Sequence, residues 1–103
     1  MTAYAANIVL KDSCLMISGN LTFDSVVEVW DKSLPLIMQC SSLSFDFSEV
    51  TSSNSAGLAL LLEWIKLAHQ KNKKIIFKKI PPQLLSIAKV SGVLDLLGDV
   101  VEE

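Results

Sequence analysis

The spacing of apolar residues changes period several times along the chain, and each change marks an element. Residues 5–10 and 13–18 are two short apolar runs joined at Lys11-Asp12. Together they read as a β-hairpin, although Lys-Asp is a weaker turn signal than Asn-Gly. Gly19-Asn20 ends the second run. Thr22 then offers an N-cap, with Asp24 and Glu28 near the positive end of the helix that follows. Val26, Val27, Trp30 and Leu34 recur at helical spacing, which places Trp30 in the core beneath that helix, and Pro35 is expected to kink the helix or end its first part. Residues 43–47, Leu-Ser-Phe-Asp-Phe, alternate with the period of a strand. Residues 55–70 carry the strongest helical pattern in the chain.

A further strand is predicted over 74–79, around Ile75-Ile76-Phe77. Pro81-Pro82 punctuates it and opens a helix through Lys89, which Ser91-Gly92 stops. Residues 93–97 form a short apolar element whose type the pattern leaves open. The order ββαβαβα predicts one α/β domain spanning residues 1–103, with parallel crossovers and an antiparallel first strand. The sheet is expected to be small, mixed and four-stranded, with the helices packed on it.

The 55–70 helix is more apolar than a surface helix needs. Leu58, Leu61, Leu62 and Ile65 form one stripe, read as the core stripe. Leu60, Trp64 and Leu67 extend it to an apolar arc of roughly 220°, against about 100° for a common surface helix. Either the helix is covered on two sides within the domain, or Leu60 and Trp64 meet another protein. Trp is enriched among interface anchors, so Leu60 and Trp64 are expected at a partner-binding surface.

Composition narrows the function classes. The 103 residues suffice for one domain and are too few for two. The mean hydropathy of +0.44 is high for a soluble domain of this size. It implies a sheet buried on both faces or apolar surface awaiting a partner. The longest uncharged apolar run, 56–62, is far short of the ~20 residues of a membrane span. The N-terminus has neither the basic nor the long apolar region of a signal peptide, so a cytoplasmic location is expected, without direct membrane insertion. The net charge is −2 and every basic residue is Lys, which argues against a general nucleic-acid binder. Six of the nine lysines lie between Lys66 and Lys79, as a solvated helix end and strand edge would have them.

Cys14 and Cys40 are isolated in apolar surroundings and read as buried thiols. With one histidine and no Cys-x-x-Cys there is no metal-site spacing, and no cofactor is implied. His69, near a helix end, is explained by the helix dipole. The chain lacks a Gly-rich phosphate loop and any motif-supported Ser–His–Asp arrangement, so it is not expected to be an enzyme.

The candidate chemistry lies between the third strand and the 55–70 helix, in Thr51-Ser52-Ser53-Asn54-Ser55-Ala56-Gly57. Hydroxyls and an amide gather there, where N–H groups at a helix start have no intrahelical partner, a place suited to binding or reading an anion. Ser55 is either the N-cap or a polar contact with a partner. Ser52 and Ser53 read as exposed loop residues. Gly57 either admits the backbone of a partner or packs tightly within its own domain. Asp46 is expected to cap or brace the loop. Ser53, Asn54, Ser55, Gly57, Leu60 and Trp64 together make the predicted partner-binding set.

The element order, the strand ending Phe45-Asp46-Phe47, the loop Asn54-Ser55-Ala56-Gly57 and the helix Leu58-Ala59-Leu60-Leu61-Leu62 resemble a STAS domain over nearly the whole chain. Within that family, residues 57–62, Trp30 and the bare single-domain length look most like the MlaB type. That resemblance implies a non-catalytic cytoplasmic subunit bound to the ATPase of an ABC transporter that moves phospholipids and maintains outer-membrane lipid asymmetry. It would be peripheral to the inner membrane through its partner. The alternative is an anti-sigma-factor-antagonist switch controlled by serine phosphorylation. In such antagonists the phosphorylated serine directly precedes the loop glycine, where this chain has Ala56, and an acidic residue opens the loop, where it has Asn54. MlaB-like members have a threonine one position earlier, corresponding to Ser55. Ala56 therefore favours the transporter branch.

Overall fold

The structure, a computed structural model, describes residues 6–97 and 100–102. Ala5, the expected start of the first strand, and the N-terminal segment before it lie outside the described residues. Nine elements follow in order: β1 (Ala6–Lys11), β2 (Cys14–Leu21), α1 (Val26–Met38), β3 (Leu43–Ser53), α2 (Ser55–Gln70), β4 (Ile75–Lys78), α3 (Pro82–Val90), α4 (Leu94–Leu97) and β5 (Val101–Glu102). The strands lie side by side in chain order. β1 runs antiparallel to β2, and β2, β3 and β4 are parallel. This is the expected mixed four-stranded sheet in an α/β domain. The two-residue β5 extends it beyond β4.

The hairpin turns one residue later than the sequence pattern predicts. Asp12 and Ser13 are its central residues, with φ of 51° and 67°. Two left-handed residues in a two-residue loop match the right-handed twist of the flanking strands. Gly19 does not end β2. With φ of 91° it takes up a register shift against β3, and the strand runs on to Leu21.

Along β1, β2 and β3 burial alternates, so one face of the sheet is closed and the other is partly open. Leu15, Phe45 and Phe77 lie in register across three strands, and all three are fully buried. Val9 and Ile76 are exposed on the open face. The high hydropathy therefore does not come from a sheet buried on both faces.

In α1 the buried residues are Val29, Ser33 and Ile37, while Val27 is exposed and Trp30 half-buried. The buried stripe thus lies beside the predicted one. A serine at its centre disguised it: the Ser33 hydroxyl is satisfied, donating to the Trp30 carbonyl at 2.6 Å. The helix continues through Pro35 to Met38. Pro35 faces solvent, where water can satisfy the carbonyl that loses its helical partner.

Two helix ends close as Schellman motifs. Asn72 (φ 55°) follows α2, where Lys73 N–H donates to the Ala68 carbonyl. Gly92 (φ 77°) follows α3, where Val93 N–H donates to that of Ala88. The Asn72 turn aims Lys73 at the end of α1, where its ammonium donates to the carbonyls of Ile37 and Cys40. A cation at that end complements the helix dipole.

Candidate functional site

The polar loop read from the sequence is mostly strand. β3 continues to Ser53 because its second half pairs in parallel with the end of β2, Asn20 opposite Ser52 and Leu21 opposite Ser53. Ser52 Oγ donates to Asn20 Oδ1 at 2.5 Å. Ser53 is buried, not an exposed loop residue; its hydroxyl donates to the Asn54 carbonyl at 3.0 Å. Its N–H donates to Gln83 Oε1 at 3.4 Å.

Asn54, and not Ser55, is the N-cap of α2. Its Oδ1 accepts from Ala56 N–H at 2.8 Å, and its carbonyl accepts from Gly57 N–H at 3.0 Å. Both N–H groups are therefore engaged, which removes them from the anion cradle expected there. Ser55 is the first helical residue and is exposed.

Gly57 packs within its own domain. A Cβ at this position would stand 2.0 Å from Ser53 Oγ and 3.5 Å from Leu21 Cβ. The glycine lets the helix start seat directly on the ends of β2 and β3. Asp46 sits at the middle of β3, seven residues before Ser53, and its Oδ1 accepts from Ser48 N–H at 2.8 Å. It does not cap the loop. Burial pushes its carboxyl up, but the bonds from Ser48 and the charges of Lys79 and Lys78 outweigh this and hold it below its ordinary value.

The expected exposed pair on α2 is internal. Trp64 is fully buried and Leu60 is 4% exposed. The Trp64 ring stacks on Phe45 with centroids 4.2 Å apart, and Phe47 lies 6.4 Å away. Its indole N–H donates to Ser33 Oγ at 3.0 Å. Leu62 and Ile65, assigned to the core stripe, are only half-buried. The helix has the sheet beneath it and α1 and α3 alongside, so the wide apolar arc is largely consumed within the domain.

What remains open is a groove between α1 and α2. It is lined by Phe23, Val26, Val27, Trp30, Ala56, Ala59, Leu60 and Glu63, with a volume of about 250 Å³. Phe23 is 69% and Val27 63% exposed. Leu60 forms part of its floor, while Ala56 places it directly beside the Asn54 cap. Of the predicted set, Asn54, Ser55 and Leu60 are thus at or next to the groove. Ser53 and Gly57 pack against each other at the start of α2, and Trp64 belongs to the core. The sequence reading missed Phe23, Val27 and Ala59 as groove walls. The i, i+4 pairs Phe23/Val27 and Val26/Trp30 were the available signal, since the two pairs cannot both occupy one narrow stripe.

Among the described residues, no group of three or more His, Cys, Asp or Glu could hold a metal ion. No described helix is long and apolar enough to cross a membrane.

The sequence matches the family described as "Mlab, STAS domain" over residues 5–99. No curated protein matches it significantly. Among solved structures, the fold is similar to that of the anti-sigma factor antagonist SpoIIAA in its unphosphorylated form. That match has a TM-score of 0.68, 17% identity, and coverage of 95% of this chain and 86% of that one. The phosphorylated form of SpoIIAA, described as a Bacillus cell fate determinant, gives a TM-score of 0.65 at 17% identity, covering 95% of this chain and 89% of that one. At this identity the likeness is one of fold.

Proposed function

The chain belongs to the STAS domain family, matching its MlaB-type description, and from that premise we propose that it is a non-catalytic subunit that docks on the ATPase of an ABC transporter for phospholipids and supports its assembly or activity. Such a subunit works in the cytoplasm, peripheral to the inner membrane through its partner. The observation that carries the reading is the open apolar groove between α1 and α2, bordered by the Asn54 cap and exposed Ser55. Phe23 and Val27 expose large apolar side chains there, as a docking surface does. The half-buried Trp30 supplies an aromatic anchor of the kind enriched at interfaces.

Pull-down of the full chain from a membrane fraction, followed by mass spectrometry, tests this. Recovery of an ABC ATPase supports the reading. Recovery of a kinase-like anti-sigma factor supports the alternative, a phosphorylation switch of the antagonist type. One observation favours that alternative: Ser55 presents an exposed hydroxyl at the start of α2. Against it, the residue before Gly57 is Ala56, and the Ser53 hydroxyl is buried.

A further inference from the structure

The charges around the α1–α2 groove identify what kind of segment it takes. Four acidic residues stand on the helices that wall it or on the turn leading into them: Asp24, Glu28, Asp31 and Glu63, all exposed. Glu63 lines the groove itself. Only two lysines, Lys32 and Lys66, belong to these helices, and seven of the nine stand elsewhere. Lys32 is held by Glu28 at 3.1 Å and donates to Asn7 Oδ1 at 3.3 Å, which ties it toward β1. The same ion pair keeps Glu28 beside Lys32, so the groove is an apolar slot whose one charged lining residue is Glu63.

We infer that its occupant is an amphipathic segment of the partner that inserts an apolar side chain between Phe23, Val27, Trp30 and Leu60 and sets a Lys or Arg against Glu63. This rests on the docking reading above and specifies the partner's chemistry. A volume of about 250 Å³ exceeds the ~150 Å³ cavity that accommodates benzene, so one aromatic or large aliphatic side chain fits. A second copy of this chain is a poor occupant. A two-fold interface would bring two copies of the same patch together, with no cation in the groove lining to meet Glu63. Rim charges of this kind select partners and speed their encounter more than they deepen affinity.

Two synthetic amphipathic peptides with the same Leu/Phe face test the inference, one flanked by Lys and one by Glu. Each is titrated into the full chain while nitrogen–proton correlation spectra follow the indole N–H of Trp30. The buried indole of Trp64 serves as internal reference. The Lys-flanked peptide is expected to shift the Trp30 signal at concentrations about tenfold lower than the Glu-flanked one at low salt, a gap that narrows as salt is added. Glu63→Lys, at an exposed position that leaves the fold intact, is expected to abolish or reverse the preference. Equal binding of both peptides, or a preference unchanged in Glu63→Lys, overturns the inference and leaves the docking reading standing. If neither peptide moves Trp30, the inference and the groove's assignment as the docking face fall together.

Discussion

The indole N–H of Trp64 on α2 donates to the hydroxyl of Ser33 on α1 at 3.0 Å, and that hydroxyl donates in turn to the Trp30 carbonyl at 2.6 Å. Both side chains are fully buried. This relay fixes the separation of the two helices whose outer rims form the groove. Ser33→Ala strands the indole N–H in the core, which is expected to destabilise the fold by about 1–3 kcal/mol. Trp64→Ala also empties the ring's place on Phe45 and should lower stability by about 3–5 kcal/mol. Urea denaturation of each variant measures both. A Trp64→Ala variant with wild-type stability would return Trp64 to the surface.

Gly57 and Ser53 interlock at the start of α2. Alanine in a helix is ordinarily better than glycine by up to ~1 kcal/mol. Here the added methyl collides with Ser53 Oγ. Gly57→Ala is therefore expected to destabilise by about 1–3 kcal/mol. Adding Ser53→Ala, which deletes the colliding oxygen, should recover part of that loss. Gly57→Ala alone raising the melting temperature would refute the interlock.

The contrast between these helices shows what was legible in the sequence. The 55–70 helix is legible at its observed bounds because its apolar residues recur at helical spacing throughout. The parallel crossovers followed from the alternation of strands and helices, and the antiparallel first strand from the hairpin. The direction in which α2 faces was not legible. Its apolar arc is wide enough to hide two orientations, and the aromatic layer of Phe45, Phe47 and Phe77 selects Trp64 as the inward residue. Ser33 in α1 was unreadable for a similar reason, since a buried serine looks polar until its partner is known. The extension of β3 to Ser53 escaped because Ser and Thr at 51–53 signal a loop. They are held as strand by Asn20 and Leu21, which are distant in sequence.

Lys73 ties the turn after α2 to the C-terminal end of α1 through the carbonyls of Ile37 and Cys40. Lys73→Met keeps the stem's apolar cover and removes the donor. The expected loss is about 1–2 kcal/mol, from the hydrogen bonds and the dipole interaction together. Thermal melting checks it, and an unchanged melting temperature would show that the cap contributes nothing.

Asp46 gives the fold a defined response to acid. Its folded pKa lies below that of an ordinary aspartate carboxyl. It therefore binds its proton less readily folded than unfolded. The stability it contributes is present above the unfolded value and is lost as pH falls through the folded one. The slope of stability against pH below about 4 should be shallower in Asp46→Asn than in the wild type. Matching slopes would mean that Ser48, Lys79 and Lys78 do not hold the carboxylate.

Phosphate mapping by intact mass and peptide analysis, on protein taken from its native cells, separates the two functional readings. Ser53 should be unmodified, since its hydroxyl is buried against Asn54. Stoichiometric phosphate on Ser55 would favour the switch.

The most direct measurement pairs folding with docking: the melting temperature of Val27→Asp, and its affinity for the ABC ATPase recovered with the wild-type chain. Val27 is 63% exposed and walls the groove, so the variant should melt within a degree or two of the wild type, an exposed substitution changing stability by about 0.5 kcal/mol or less. A charge placed in a docking groove should weaken binding by about thirtyfold, or ~2 kcal/mol. Wild-type affinity in a folded Val27→Asp variant would contradict the assignment of the α1–α2 groove as the surface through which this protein acts.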